Sequence, residues 1–204
     1  MHPNPVFHDA DQAANLEFAR DRAFGVLAVC EDGAPLISHV PFLLSEDGQS
    51  VDLHLVRSNP IARLARLPIK VRLAVSGPDA YISPDWYGIE DQVPTWNYVA
   101  VHLVGTLQLL PDSDFRRLLE RQSAFYETRL LPKPPWTLDK MSDEALTRMM
   151  RMIVPARISV ERVEGTWKLS QNKSEAARTG AAGQVPGGIG HELEALTKLM
   201  GPER

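Results

Sequence analysis

Phe24-Gly-Val-Leu-Ala-Val-Cys30, Leu36-Ile-Ser-His-Val-Pro-Phe-Leu-Leu44 and Val51-Asp-Leu-His-Leu-Val56 are three short apolar runs. They are separated by Glu-Asp-Gly at 31–33 and again at 46–48. An Asp-Gly pair between apolar runs marks a hairpin, because glycine takes the positive φ that a tight turn between right-twisted strands demands. The three runs therefore predict consecutive antiparallel strands.

The pattern continues on both sides. Asp9 or Asp11 caps a helix expected to run to about Arg22, with Leu16, Phe18 and Ala19 as its apolar contacts and Gly25 near its end. After Pro60, apolar residues at 61, 64, 65 and 67 suit a short helix. A strand is expected at Val71–Ser76 and a longer one at Tyr98–Leu110, with Gly105 marking a bulge or a close backbone approach. Helices follow at Asp112–Thr128 and Ser142–Met152, joined by the Pro-rich piece 131–136, and a last strand at Ala156–Val163. Six or seven strands with a few helices make a mainly β chain with peripheral helices, a small barrel decorated at its ends.

The chain from 174 onward differs in character. Residues 174–190 are rich in Ala, Gly, Ser and Thr without an apolar period, so they are expected to form a flexible arm, followed by a short helix over 191–200. The domain expectation is accordingly 1–173 for the barrel and 174–204 for an arm and short helix of the same domain.

Composition limits the function classes. The chain has 204 residues, 44% hydrophobic and 24% charged, which fits one globular domain, or one domain with a helical appendage, and is long enough for a real core. No apolar stretch approaches the roughly 20 residues that cross a bilayer. The start Met1-His2-Pro3-Asn4-Pro5 has no basic and apolar leader pattern, so a cytoplasmic protein away from membranes is expected. A net charge of −4 and a pI near 5.9 argue against broad electrostatic binding of nucleic acid. The single Cys30 excludes an internal disulfide and is expected to be a small buried hydrophobe.

Chemistry gathers elsewhere. Tyr81-Ile-Ser-Pro-Asp-Trp-Tyr87 and Pro94-Thr-Trp-Asn-Tyr98 mix aromatic faces with hydroxyls and amides, which suits a flat ligand that is both stacked and hydrogen-bonded. Both segments read as loops. Arg57, Arg63, Arg66, Lys70 and Arg72 concentrate positive charge suited to an anion such as a phosphate. No Gly-rich phosphate loop and no Gly-x-Ser-x-Gly elbow is present. His39, His54 and His102 lie singly on strands and read as structural residues, so no metal site is expected, and haem would have to draw its axial ligand from these three.

Several of these pieces together resemble one family. Gly25-Val-Leu, Ser38-His-Val-Pro41, His54-Leu-Val-Arg-Ser-Asn-Pro60, Gly77-Pro-Asp-Ala-Tyr-Ile-Ser83, Trp86-Tyr87, Val93-Pro-Thr-Trp-Asn-Tyr98, Val101-His102 and Lys168-Leu-Ser-Gln-Asn172 are similar to PaiB proteins. These are FMN-binding negative transcriptional regulators with the split barrel of pyridoxamine phosphate oxidase-like flavoproteins. The resemblance runs from Pro3 to about Lys173 and implies a homodimer with FMN at the subunit interface.

Carried onto this chain, the resemblance implies phosphate binding by Arg57, Ser58, Asn59 and Arg63, with His39 nearby on an adjacent strand. Trp86, Trp96, Asn97 and Tyr98 would line the ring or its entrance, and Lys168, Gln171 and Asn172 would close the pocket. A lysine or amide near the flavin N1/C2=O edge stabilises the charge that reduction places there. The catalytic residues stay unassigned. No helix-turn-helix is legible, so direct DNA binding is doubtful and regulation is expected to be indirect or through flavin and redox sensing. The alternative is an FMN-dependent oxidoreductase acting on a small molecule.

Overall fold

The structure is a computed structural model that describes residues 2–31 and 33–201. Helix α1 spans Gln12–Arg22. Strands β1 (Phe24–Glu31), β2 (Ala34–Leu44) and β3 (Ser50–Val56) follow, then α2 (Pro60–Leu64) and β4 (Ile69–Ile82). Strand β5 covers Thr95–Leu109, α3 Phe115–Glu127, α4 Asp143–Met150 and β6 Ile153–Lys168. Helix α5 (Glu175–Gln184), the two-residue β7 (Gly190–His191) and α6 (Leu193–Met200) complete it.

The strand order is β1-β2-β3-β6-β5-β4-β7, and an added β1–β4 pairing closes the first six into a ring. Closure leaves β7 as an addition on β4, through Asp79↔His191 and Ala80↔Gly190. Both expected hairpins are present. Glu31 pairs with Ala34 across a turn in which Gly33 has φ 95°, while Asp32 of that turn lies outside the described residues. At the second, Gly48 has φ 71° and Asp47 accepts from the Ser45 hydroxyl and the Gln49 N–H.

Local chemistry sets the ends of several elements. Asp11 Oδ1 accepts from Ala14 N–H at 2.7 Å and starts α1, which stops at Ala23, a residue at φ 50°. Thus Ala23, not Gly25, ends the helix, and Gly25 lies inside β1. Ser142 caps α4 and Ser174 caps α5 through their hydroxyls.

The chain divides into two compact units. One comprises the described parts of Met1–Phe18, Val75–His102 and Val163–Arg204; the other comprises Ala19–Ala74 and Leu103–Arg162. In the second unit the core is mostly aliphatic with two phenylalanines, and Leu27, Phe42, Leu53, Leu73, Leu103, Leu107, Phe115 and Ile158 are all fully buried. Gly105 is the close approach its position foretells, since a Cβ there would lie 2.0 Å from the Ser159 carbonyl oxygen. In the first unit Ala80, Ile82, Tyr87, Ala177, Ala181, Val185, Leu196 and Met200 form a cluster of their own.

Three expectations need correction. The expected arm over 174–190 contains α5, whose Ala177, Ala181 and Ala182 are buried. Its periodicity is written in alanine, too small to register as an apolar face beside so many glycines. The two aromatic segments are less loop-like than expected: Tyr81 and Ile82 end β4, Pro84–Tyr87 is a single 3-10 turn, and Thr95–Tyr98 already belongs to β5. Cys30 is exposed, because strand alternation places it with Phe24, Val26 and Ala28 on the outward face of β1.

Candidate functional site

The phosphate candidates sit at the β3–α2 turn of the second unit. Asn59 spends its whole side chain on architecture: Oδ1 accepts from Ile61 N–H at 2.9 Å, capping α2, and Nδ2 donates to Ser38 Oγ at 3.0 Å. Arg57 is also committed, donating from Nε to the Arg151 carbonyl at 2.9 Å and from Nη2 to the Ile153 carbonyl at 3.1 Å. Ser58 and Arg63 are exposed, as is Arg66 one turn further on. Lys70 pairs instead with Glu161, 2.6 Å away, whose carboxyl is held below its usual pKa chiefly by that lysine.

Strands β1 and β2 of the same unit carry an exposed sheet face. Phe24, Val26, Ala28 and Cys30 of β1 stand opposite Pro41, His39, Ile37 and Pro35 of β2, and on the other side Val26 and Ala28 pair with Ala74 and Arg72 of β4. Phe24 and Ile37 are 54% and 58% exposed, high values for residues of this size. His39 is exposed on the same face, its ring stacked at 6.5 Å on that of Phe24. The Ser38–Asn59 hydrogen bond ties the arginine-bearing turn to β2, from the side of the strand opposite Ile37 and His39.

The ring candidates lie in the first unit and fall into distinct surroundings. Asn97 is fully buried, donating from Nδ2 to Ser170 Oγ at 2.8 Å and to Met200 Sδ at 3.3 Å, while its Oδ1 has no partner. Tyr87 joins the same Ser170 hydroxyl at 2.7 Å. Trp86 packs on the cluster beneath α5, with Gly180 and Gly188 leaving it room. Gln171 closes a local turn, Nε2 donating to the Trp167 carbonyl at 2.6 Å and Oε1 accepting from Leu169 N–H at 2.8 Å. Asn172 is exposed.

Alternation along β5 divides what remains. Thr95 and Asn97 face one way, Trp96 and Tyr98 the other. Lys168 goes with the first pair: its ammonium donates to the Thr95 hydroxyl and lies over the Phe7 ring, and partial burial lowers its pKa. Trp96 is 45% exposed and meets Tyr81 edge-on. With Tyr98 it opens onto a groove of about 350 Å³ that also contains Ser76, Gly77, Asp79 and His191.

Sequence reading passed over two groups here. One is the Asp79–His191 pair at that groove, which only the glycines before His191 hint at. The other is Asn15, buried in α1, whose Oδ1 accepts from Trp167 Nε1 at 2.8 Å. Gly165 makes that possible, since a Cβ there would stand 2.0 Å from Asn15 Oδ1. Among the described residues no group of three or more His, Cys, Asp or Glu is placed to hold a metal, and no helix is long and apolar enough to cross a membrane.

Comparison with known proteins agrees with this architecture. A family model described as "Putative FMN-binding domain" matches residues 1–162. The chain is 31% identical over 185 residues to "Protease synthase and sporulation protein PAI 2" of Bacillus subtilis, covering 90% of this chain and 88% of that one. Among solved structures, the FAD and heme binding protein of Mycobacterium smegmatis superposes with a TM-score of 0.56 at 13% identity, covering 78% of this chain and 71% of its own. The conserved hypothetical protein Rv2991 of Mycobacterium tuberculosis gives 0.56 at 16% identity, covering 82% and 91%.

Proposed function

This chain belongs to the FMN-binding domain family, and we propose that it is a homodimeric regulator of the PaiB type, acting indirectly by sensing flavin or redox state. FMN is its cofactor. The observation that supports the site is that exposed Ser58 and Arg63 lie on the turn Asn59 fastens to Ser38 of β2, the strand whose other side carries the exposed Ile37 and His39. FMN joins a dianionic phosphate to a flat, largely apolar ring system. Free guanidinium and hydroxyl donors at the rim of an apolar face fit both ends of it.

In this reading Arg63 and Ser58, with Arg66 in support, hold the phosphate, and Arg57 and Asn59 hold the turn. The uncovered β1–β2 face receives a second copy of the chain, enclosing the cofactor. When bound, FMN supplies electron-accepting chemistry. Trp86 and Asn97 we assign to packing, because their side chains are occupied by the first unit's core.

The arrangement of the helices supports the indirect route. Among the described residues no two α-helices are joined by the turn of roughly three or four residues that a helix-turn-helix requires. The curated relative's name supplies the link to sporulation and protease synthesis. An FMN-dependent oxidoreductase is the second reading, favoured by an ordered histidine–carboxylate pair at an open aromatic groove.

Visible absorption of the protein titrated with FMN, together with its solution mass, tests the first reading. Perturbed flavin bands and a dimer are expected. Arg63→Ala should weaken binding by about 10- to 100-fold, as loss of a charge-assisted phosphate contact does. Arg57→Ala should weaken it less and lower thermal stability more. No binding at micromolar FMN, or equal binding by Arg63→Ala and the parent protein, overturns the site. Steady oxidation of NADH or NADPH by the flavin-loaded protein would favour the oxidoreductase.

A further inference from the structure

Gly190 governs the edge of β4. Its φ is 153°, and a Cβ on it would fall 2.1 Å from the Asp79 carbonyl oxygen, so only glycine lets the chain pass this close. The passage makes β7. Tyr81 N–H donates to the Ile189 carbonyl at 2.8 Å, and His191 arrives directly opposite Asp79. There the carboxylate grips it twice: the main-chain N–H donates to Oδ1 at 3.1 Å, and ring Nδ1 stands 3.1 and 3.2 Å from the two oxygens.

A carboxylate only accepts, so Nδ1 carries the hydrogen and, in the neutral ring, Nε2 is left as an acceptor. The imidazole is 82% exposed. An exposed contact of this kind adds little to folding stability, so stability does not account for a histidine held at two points. The groove it borders is otherwise lined by aromatic, small and aliphatic residues: Trp96 braced by Tyr81, Tyr98 beside it, Val99, and Gly77, where a Cβ would lie 2.6 Å from the Phe18 ring. Its volume suits one small ring system. Among the described residues no lysine or arginine lines it, and Asp79 repels anions.

We propose that this groove binds a small hydroxyaromatic compound, stacked on Trp96 and donating its hydroxyl hydrogen to His191 Nε2. Asp79 is the positioning residue that fixes the tautomer. Trp96 supplies affinity for any flat ring and His191 the preference for a donor, while the local negative charge disfavours aromatic carboxylates. The proposal uses residues of the first unit alone and stands whether or not the flavin reading does.

Fluorine NMR of the full chain with 4-fluorophenol, 4-fluoroanisole and 4-fluorobenzoate tests it. The three probes share a ring and differ in the group offered to His191. The phenol should bind about fivefold more tightly than the anisole, the factor one net hydrogen bond gives, and the benzoate most weakly. His191→Ala should erase the phenol preference and leave weak ring binding, while Trp96→Ala should lose all three; both alter exposed side chains, and melting curves check folding. Gly190→Ala, which keeps both groups but displaces β7, should also erase the preference. Equal binding of phenol and anisole, or a phenol preference that survives His191→Ala, overturns the assignment. So does displacement of the phenol by FMN, which would make the groove part of the flavin site. Failure of FMN to bind at all would sink the flavin reading and leave this one standing.

Discussion

Asp52 and Arg157 are cross-strand partners on β3 and β6, joined by two hydrogen bonds, Nε to Oδ1 at 2.6 Å and Nη2 to Oδ2 at 3.0 Å. Arg121 of α3 adds a third at 3.1 Å. The carboxylate is buried at 6% exposure while Arg157 is 38% exposed, and its guanidinium is held more firmly protonated by this partner. Losing the acceptor strands two partly hydrated cations, Arg157 and Arg121. Asp52→Ala should therefore cost about 1–3 kcal/mol, below the full penalty for a dry pair. Urea denaturation measures it, and a change under about 0.5 kcal/mol would show the pair to be idle.

His54 gives a pH dependence of definite sign. Burial lowers its pKa, against a smaller opposing effect of the hydrogen bond to Gln122. The unfolded chain then takes up the proton first, near the ordinary value of about 6.5. The stability that neutral His54 contributes is complete above that pH and is lost as pH falls toward the depressed folded value. Melting temperatures should decline from pH 7 toward 5, and His54→Gln should flatten the decline. Glu127 and Glu161, whose pKa values are lowered by their lysine partners, act only further down.

Two glycines make a matched pair. Gly105→Ala drives a methyl group into the Ser159 carbonyl, backbone against backbone, and should cost about 1–3 kcal/mol or more. Gly183→Ala, in α5 with nothing within 4 Å of the new atom, should stabilise by up to about 1 kcal/mol. Thermal melts of the two variants decide it, and shifts of the same sign would contradict the packing described.

Packing of α5 is open to a direct challenge. Ala181 is fully buried, so Ala181→Leu overfills the cluster around Tyr87 and Leu196 and should destabilise by about 1–3 kcal/mol. Limited proteolysis should spare 175–184 in the parent chain and cut there in the variant. Rapid cutting of the parent would restore the idea of an arm.

The barrel was legible because its evidence is local. The Asp-Gly turns announced β1 to β3, Ser142 announced α4, and Gly105 announced a close approach that is indeed backbone to backbone. The family could be recognised from ordered motifs for the same reason. What stayed hidden depends on partners far away in sequence. Asn97 reads as a pocket amide until Ser170 and Met200 close over it, and Arg57 reads as a free cation until the carbonyls of Arg151 and Ile153 take its donors. Asp79 sits in the motif at 77–83, which gives no hint of its partner, and His191 sits in none; a two-residue strand brings them together.

That strand has a consequence for synthesis. His191 reaches Asp79 across 112 positions of chain, so on the ribosome the whole region matched by the family model is made and free to fold while the edge of β4 still lacks β7. A truncation drawn at residue 162, the end of that match, would delete α5, α6 and the histidine together and leave Trp96 beside an unanswered carboxylate. Activity assays on such a fragment would report on a different surface from the one the complete chain presents.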